Sequence, residues 1–395
     1  MSKRWIGLAL MMIGLGWTPA GHAQYLPSTP PAGMPEPMPC APSMVPGPIS
    51  PYQAPPGPGP DLGIPANIPG AFDECWYSPV KHVYVHVGTQ ALARRRPGHF
   101  PIAVLNPNNL DVIEPPLLVP PVTEDASGIN PVYAWGPRGT IGILWDQCAV
   151  ELSGFILDET EASILRAVPG RLNTFFFNPP LGFEGNNNLW LNADRIRTTL
   201  ETNLASAELN SRWFAKAHSG PEWIVGVRYF DMQEQMAIFT DDEGLVFRDI
   251  FGKPDPTRQA TYTARVHNRI LAGQLGVEWQ ISPCCWLALG WAAKGAWGVN
   301  WANVDFSLVR GDGLVGFDTG RRHTMFSHMY DVLGFLELHL LERLRVRAGY
   351  TALWLLHVPV AQQQIDFDLS APLQHRKDNG SVFYHGPQIE MQFLF

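Results

Sequence analysis

Charged side chains spaced two apart are the residues of this sequence best placed to do chemistry. Arg343, Arg345 and Arg347 alternate with Leu344 and Val346, and Glu337 and His339 alternate with Leu336, Leu338 and Leu340. A period of two puts each charged set on one face of a strand and the apolar set on the other. Arg228, Glu278 and Lys294 stand on polar faces of the same kind. Held in an enclosed space, such groups pair with one another or contact a polar solute. Catalysis has weaker support. The sequence contains no Gly-x-Ser-x-Gly, no His-Glu-x-x-His and no phosphate-binding loop. His267, His323, His328, His339, His357 and His385 are scattered, with no serine at a fixed spacing. His339 with Glu337 makes a hydrogen-bonded pair and falls short of a metal site. Cys40, Cys75, Cys148, Cys284 and Cys285 are odd in number and lack zinc-site spacing. No cofactor is expected.

The elements that must position these residues are strands. The last segment puts Ile389, Met391, Phe393 and Phe395 on one face and Gln388, Glu390, Gln392 and Leu394 on the other. Trp223, Val225, Val227 and Tyr229 oppose Glu222, Gly226 and Arg228. Leu271, Leu275, Val277, Trp279 and Ile281 alternate with Gln274, Gly276, Glu278 and Gln280. Leu289, Trp291, Ala293, Trp297, Val299 and Trp301 alternate with Gly290, Ala292, Lys294, Gly298 and Asn300. Further strands are expected over 80–89, 140–145, 149–157, 199–214, 332–340 and from 343 onward. Residues 94–130, 158–190 and 311–322 read as loop, rich in Pro, Asn, Asp and Gly. Turns are expected at Asp146-Gln147, Ser282-Pro283 and Leu341-Glu342, and long connections around 241–258, 306–325 and 361–381.

Composition narrows the class. Charged residues make up 16% of the chain, against about 25% in an ordinary soluble protein. The net charge of −8 argues against nucleic acid as a partner. Lys3 and Arg4 precede a short apolar run from Trp5 to Trp17, and the small residues Gly21 and Ala23 precede Gln24. This is the pattern of a cleavable export signal over 1–23, too short to span a bilayer as a helix. Sixteen of the 37 prolines lie between Pro27 and Pro69, so 24–70 is expected to be a disordered Pro-rich linker. Residues 71–395 form the remaining domain.

No later stretch is apolar over about 20 residues, so a membrane span would have to be a closed barrel, in which every backbone group is paired. A soluble sandwich could show the same alternation. Strand length favours the barrel: several strands run past a dozen residues, where soluble strands stop near five or six. Trp291 and Trp301 lie ten residues apart on one face, roughly 33 Å along the strand and roughly 25 Å once tilted by about 40°, near the height of a barrel's apolar band. Short turns alternating with long loops fit the same class. The expected fold is all-β, an antiparallel up-and-down transmembrane β-barrel of about ten strands (eight to twelve).

Three segments carry a resemblance. Trp223 to Gln235, with Gly226, Arg228, Tyr229 and Glu234, resembles a Gly-x-Arg-Tyr-x-x-Leu-x-Glu segment. Arg265 to Glu278, with Asn268, Gly273-Gln274 and Leu275-Gly276, resembles an Asn-x-x-x-Gly-x-Gln-x-Gly segment. Arg347-Ala-Gly-Tyr-Thr, followed by Gln364-Ile365-Asp366, resembles the closing segments. The family is the outer-membrane β-barrel porins numbered seven, and the similarity runs from about Trp135 to Phe395. It implies an outer-membrane location, with the lipid bilayer and the insertion machinery as partners; the missing catalytic signatures argue against an enzyme. Arg228, Glu278, Lys294, Glu337, His339, Arg343, Arg345 and Arg347 are the expected lumen-facing set. Ile389, Met391, Phe393 and Phe395 are the expected insertion signal. About ten strands enclose a narrow bore, so the expected function is a small or occluded diffusion channel for small polar solutes. The alternatives are a surface-presentation barrel without transport and, more weakly, a barrel hydrolase.

Overall fold

The computed structural model describes residues 82–106, 122–145, 148–184, 189–214, 220–242, 255–284, 286–341, 343–370 and 380–395. The expectations for 1–23 and 24–70, for Cys40, Cys75 and Cys285, and for turn residues 146, 147 and 342 lie outside them.

One antiparallel sheet holds thirteen strands. They are β1 (His82–Arg94), β2 (Pro101–Leu105), β3 (Val122–Asp125), β4 (Tyr133–Trp145), β5 (Cys148–Ile156), β6 (Thr160–Thr174) and β7 (Ala193–Trp213). After these come β8 (Glu222–Asp241), β9 (Gln259–Cys284), β10 (Leu287–Arg310), β11 (Val315–Leu341), β12 (Leu344–Val358) and β13 (Gly380–Leu394). Ten of them close a ring in the order β1, β4, β5, β7, β8, β9, β10, β11, β12, β13, with β13 back against β1. Consecutive ring strands are neighbours, so the barrel is up-and-down.

β2, β3 and β6 stand outside the ring. β5 pairs with the lower half of β7, from Trp213 to Ala205, and β6 continues along its upper half, from Thr202 to Arg195. The chain stays pinned across the break: the Leu157 N–H donates to the Leu204 carbonyl and the Asp158 N–H to the Trp135 carbonyl. Gly170, at φ +62°, lies within the register shift of β6 between Ala167 and Leu172, in a backbone region that costs glycine little. Beyond the shift, β6 receives β2, and β2 receives β3.

The registers fix the width of the barrel. Tyr84 pairs with Gly142, Gly142 with Glu151, Glu151 with Asn210, Asn210 with Gly226 and Gly226 with Gln274. The path continues through Ala296, Met329, Leu355 and Val382. Carried back to β1, it arrives about twelve residues above its start. For ten strands this stagger sets a tilt of about 40° and a backbone radius of about 10 Å. Every residue on the path points inward.

The outer face changes character at one level. On β8 it runs Trp223, Val225, Val227, Tyr229 and then Asp231, Gln233, Gln235. On β9 it runs Ile281, Trp279, Leu275, Leu271 and then Arg269, His267, Arg265. On β10 it runs Leu289, Trp291, Val299, Trp301 and then Asn303, Asp305. The apolar rows, edged by Trp and Tyr, form the lipid-facing belt of a transmembrane barrel. Above them the strands rise into water.

That rise accounts for the loops that are in fact strands. Residues 311–322 and the long connection expected around 306–325 are a tight turn at Gly311–Leu314 between β10 and β11. On the β11 arm no residue from Val315 to Thr324 is buried on either face, so the sequence shows no alternation there, while the β10 arm keeps Val304, Phe306 and Leu308 buried against the cap. β6 occupies much of 158–190 for the same reason, its lower part being exposed or half-buried throughout. Within 94–130 lie β2 and β3, too short to show a period. The turn expected at Ser282-Pro283 comes later, because β9 continues through Cys284.

Candidate functional site: the barrel lumen

Inward-facing side chains fill the ring in three zones. At the foot lies an ionic layer. Arg347 on β12 bonds Glu337 on β11 (Nε to Oε2, 2.9 Å) and Glu278 on β9 (Nη1 to Oε1, 2.9 Å). Its guanidinium lies over the Phe335 ring, 4.1 Å from the centroid. Arg345 and His339 reach Glu337 at 3.3 and 3.1 Å. Arg212 on β7 donates to Glu151, Glu222 and Glu278 at 2.9, 2.8 and 2.7 Å. The Tyr84 hydroxyl donates to Glu151 at 2.5 Å. Arg138 pairs with Glu390, and His86 approaches the same carboxylate at 3.5 Å. Arg212 and Arg347 each face more than one carboxylate, which offsets the cost of burying them.

Above the foot, Arg228 donates from Nε to the Ser206 hydroxyl at 2.6 Å and pairs with Asp331 at 3.5 Å. Lys294 pairs with Glu208 at 3.6 Å, and Gln274 donates to Asn210. A Cβ at Gly226 would collide with the Leu209 carbonyl and the Gln274 amide, so only glycine fits between them. An apolar zone follows: Leu92, Phe155, Leu204, Phe230, Ile270, Met329, Leu353 and Leu355 are all buried in one cluster.

At the top of this zone the bore is bridged. The Tyr384 hydroxyl on β13 donates to Glu234 Oε1 on β8 at 2.9 Å. The two strands stand five apart in a ring of ten, on opposite walls. Arg94 on β1 donates from Nε to the same oxygen at 2.6 Å. Folded loops cap the mouth. Ile102, Ile129, Phe176, Phe183, Trp190 and Ile365 pack onto Ile196, Met236, Tyr262, Val304 and Phe306 of the raised walls. The short helix α1 (Ala361–Gln364) belongs to this cap. The Gln362 side chain donates to the Gly98 carbonyl, and the Asn268 side chain to the Pro359 carbonyl.

The structure therefore gathers Glu278, Glu337, His339, Arg345 and Arg347 into one network, and sets Arg228 and Lys294 in the zone above. Arg343 is a correction: it is exposed in the turn below β12, where its carbonyl accepts from the Leu394 N–H, and it takes no part in the network. Ile389, Met391, Phe393 and Phe395 lie on the outer face of the terminal segment. Sequence reasoning missed Arg212, Glu208 and Asp331, although their alternation with Leu209, Ser211 and Trp213 on β7 and with Tyr330 and Val332 on β11 was a usable signal. It also missed Arg94, Glu234 and Tyr384. Arg94 opens the run Arg94-Arg95-Arg96, which reads as the start of a loop.

One cap residue titrates in the physiological range. Glu124 on β3 is 1% exposed and accepts from the Thr198 hydroxyl at 2.5 Å. Burial pushes its carboxyl up to about 7, against the opposing pull of Thr198 and Arg166. Below the ordinary glutamate range both folded and unfolded chains hold the proton. As pH rises toward 7 only the unfolded chain releases it, so the cap loses stability across that window. Limited proteolysis of the cap is expected to quicken from pH 5 to pH 8 in the wild type and to stay level in Glu124→Gln. An equally steep rise in the variant would remove Glu124 as the cause.

A ring of ten tilted strands, belted by apolar and aromatic residues outside and filled by ion pairs inside, defines a transmembrane β-barrel of the outer-membrane type. The chain belongs to the family described as Putative beta barrel porin-7, which matches residues 136–378, and it is an outer-membrane protein. No curated protein matches the chain. Among solved structures it is similar to the outer membrane protease OmpT from Escherichia coli, at 11% identity over 80% of this chain and 98% of that one, with a TM-score of 0.34. It is also similar to the P. putida toluene transporter TodX, at 9% identity over 82% and 91%, with a TM-score of 0.28. Neither likeness bears on what this chain does.

Proposed function

We propose that this porin-family barrel stands closed, as an occluded channel for small polar solutes. One observation carries the reading: Tyr384 and Glu234 join opposite walls by a direct hydrogen bond. A backbone radius of about 10 Å leaves no water column once such side chains meet across it. Passage of a solute requires that bridge to part and the cap above it to move. In planar bilayers the refolded wild type is expected to show no steady conductance at neutral pH. Tyr384→Ala with Glu234→Ala should add brief, small steps. Large, stable steps from the wild type would overturn the closed reading.

A second reading, a barrel that presents its rim rather than transports, is favoured by the raised walls of β7 to β11, which continue well above the lipid belt. We take the protein to be no enzyme. Among the described residues the recorded histidine partners include Asp231, Glu337, Tyr330, Tyr350 and a second histidine. The Ser327 hydroxyl goes to the His357 carbonyl rather than to a ring. We read 1–23 as a signal removed before Gln24. Ile389, Met391, Phe393 and Phe395 serve as the segment that the insertion machinery grips.

A further inference from the structure

Directly above the lipid belt the outer face of the raised wall is concave and polar. Two adjacent rows cross it at right angles to the strands. One runs Asn203, Gln233, His267, Asn303 and Arg322; the other runs Glu201, Gln235, Arg265, Asp305 and Gly320. With Glu159 from the break between β5 and β6, most of these residues line a cleft of about 430 Å³. That volume is in the range of small-ligand sites.

The chemistry of the rows is specific. The Gln235 amide donates to Glu201 at 2.8 Å and its oxygen accepts from Arg265 Nε at 2.8 Å, so this trio is locked in place. Beneath it Asp231 accepts from the Tyr229 hydroxyl and the Gln233 amide, at 3.2 Å each, and binds His267 at 3.0 Å. Asn203 and Asn303 make no side-chain hydrogen bond to any described residue, and both face the cleft. Glu159, Glu201 and Asp305 outnumber Arg265 in charge, so a bare anionic headgroup is repelled. Carboxylates and amides set side by side suit vicinal hydroxyls, each of which donates and accepts. Arg265 and His267 suit an acidic substituent on the same molecule. The height of the cleft decides the source. Its rows begin two same-face positions beyond Tyr229 on β8 and one beyond Trp301 on β10, just past the edge of the acyl region, so an occupant anchored in the outer leaflet brings its headgroup to it.

We infer that this cleft binds the saccharide headgroup of an outer-leaflet glycolipid. The inference is independent of whether the barrel conducts. The test uses the full-length protein in detergent, with binding read by native mass spectrometry and by Trp fluorescence. The probes are a lipopolysaccharide carrying lipid A with core sugars, the core oligosaccharide released from it, and phosphatidylglycerol. The wild type is expected to take up the lipopolysaccharide saturably. Asn203→Ala with Asn303→Ala should weaken it by about tenfold or more, the loss of two neutral hydrogen bonds, with heat-modifiable migration unchanged. Asp318→Ala, higher on β11, serves as the control and should bind as the wild type does. Equal binding by the double variant overturns the proposal. Phosphatidylglycerol binding as tightly reduces the site to a non-specific lipid contact and also overturns it. Free oligosaccharide binding as tightly as the intact glycolipid overturns the membrane source.

Discussion

Removal of Ile389 to Phe395 is expected to abolish insertion, leaving the chain degraded or aggregated before it reaches the outer membrane. These residues carry the lower half of the seam. Ile389, Glu390, Met391 and Gln392 pair with Thr89, Gly88, Val87 and His86 on one side, and with Ala348, Arg347, Val346 and Arg345 on the other. The Phe395 N–H adds a bond to the Val83 carbonyl. Without them β1 and β12 face each other across a gap with their edges unpaired. Each unpaired backbone group costs several kcal/mol in hydrocarbon, and repacking of side chains does not recover a loss repeated along a strand. Glu390 leaves as well, so Arg138 loses its carboxylate. Phe395→Ala removes no ladder bond and should slow insertion while leaving the barrel closed. Fractionation with surface proteolysis separates the cases. Normal surface exposure of the truncated chain would show that β13 is not the closing strand.

Arg212→Met is expected to cost about 3–5 kcal/mol of stability, the penalty for breaking a buried charge network from one side. The guanidinium holds Glu151, Glu222 and Glu278 together at the foot of the lumen. Methionine keeps most of the volume and removes the charge, so the three carboxylates repel one another, with Arg347 still bonded to Glu278. Urea refolding into liposomes measures the loss. Adding Glu222→Gln to the same chain should recover part of it by relieving one repulsion. If Arg212→Met alone unfolds at the wild-type urea concentration, the network contributes nothing and the foot of the lumen is held by the ladder alone.

Much of the fold was legible where one face of a strand meets lipid and the other meets packed charge. On β12, Arg345 and Arg347 against Val346 and Ala348 showed both faces at once, and ring closure near ten strands followed from such segments. Legibility failed where both faces meet water. The upper half of β11, from Val315 to about Thr324, has no apolar contrast, so it reads as loop. Arg343 keeps the parity of Arg345 yet lies one residue below the strand, where parity places nothing. The bridge of Tyr384 to Glu234 could not be read at all. It joins residues 150 positions apart and exists only because ring order and stagger bring their strands to opposite walls at one height. The polar cleft was half visible: along one face of β8, Trp223, Val225, Val227 and Tyr229 give way to Asp231, Gln233 and Gln235. That change marks the edge of the lipid, but only the registers join it to its counterparts on β7, β9 and β10.

The account depends most on which face of the wall meets lipid, and neighbouring residues of β12 test it. Val346 faces outward between Leu338 and Met391, and Arg345 faces inward to Glu337. Val346→Arg places a charge in hydrocarbon and should cost about 2–4 kcal/mol if it lies near the midplane, and less toward an interface. Arg345→Ala removes the longest of the contacts to Glu337, which keeps Arg347 and His339, and should cost less. Refolding of both variants into liposomes against urea gives the comparison. A clear loss for Val346→Arg with a smaller one for Arg345→Ala is the predicted result. Equal tolerance of the new arginine would contradict a lipid-facing wall and with it the membrane barrel.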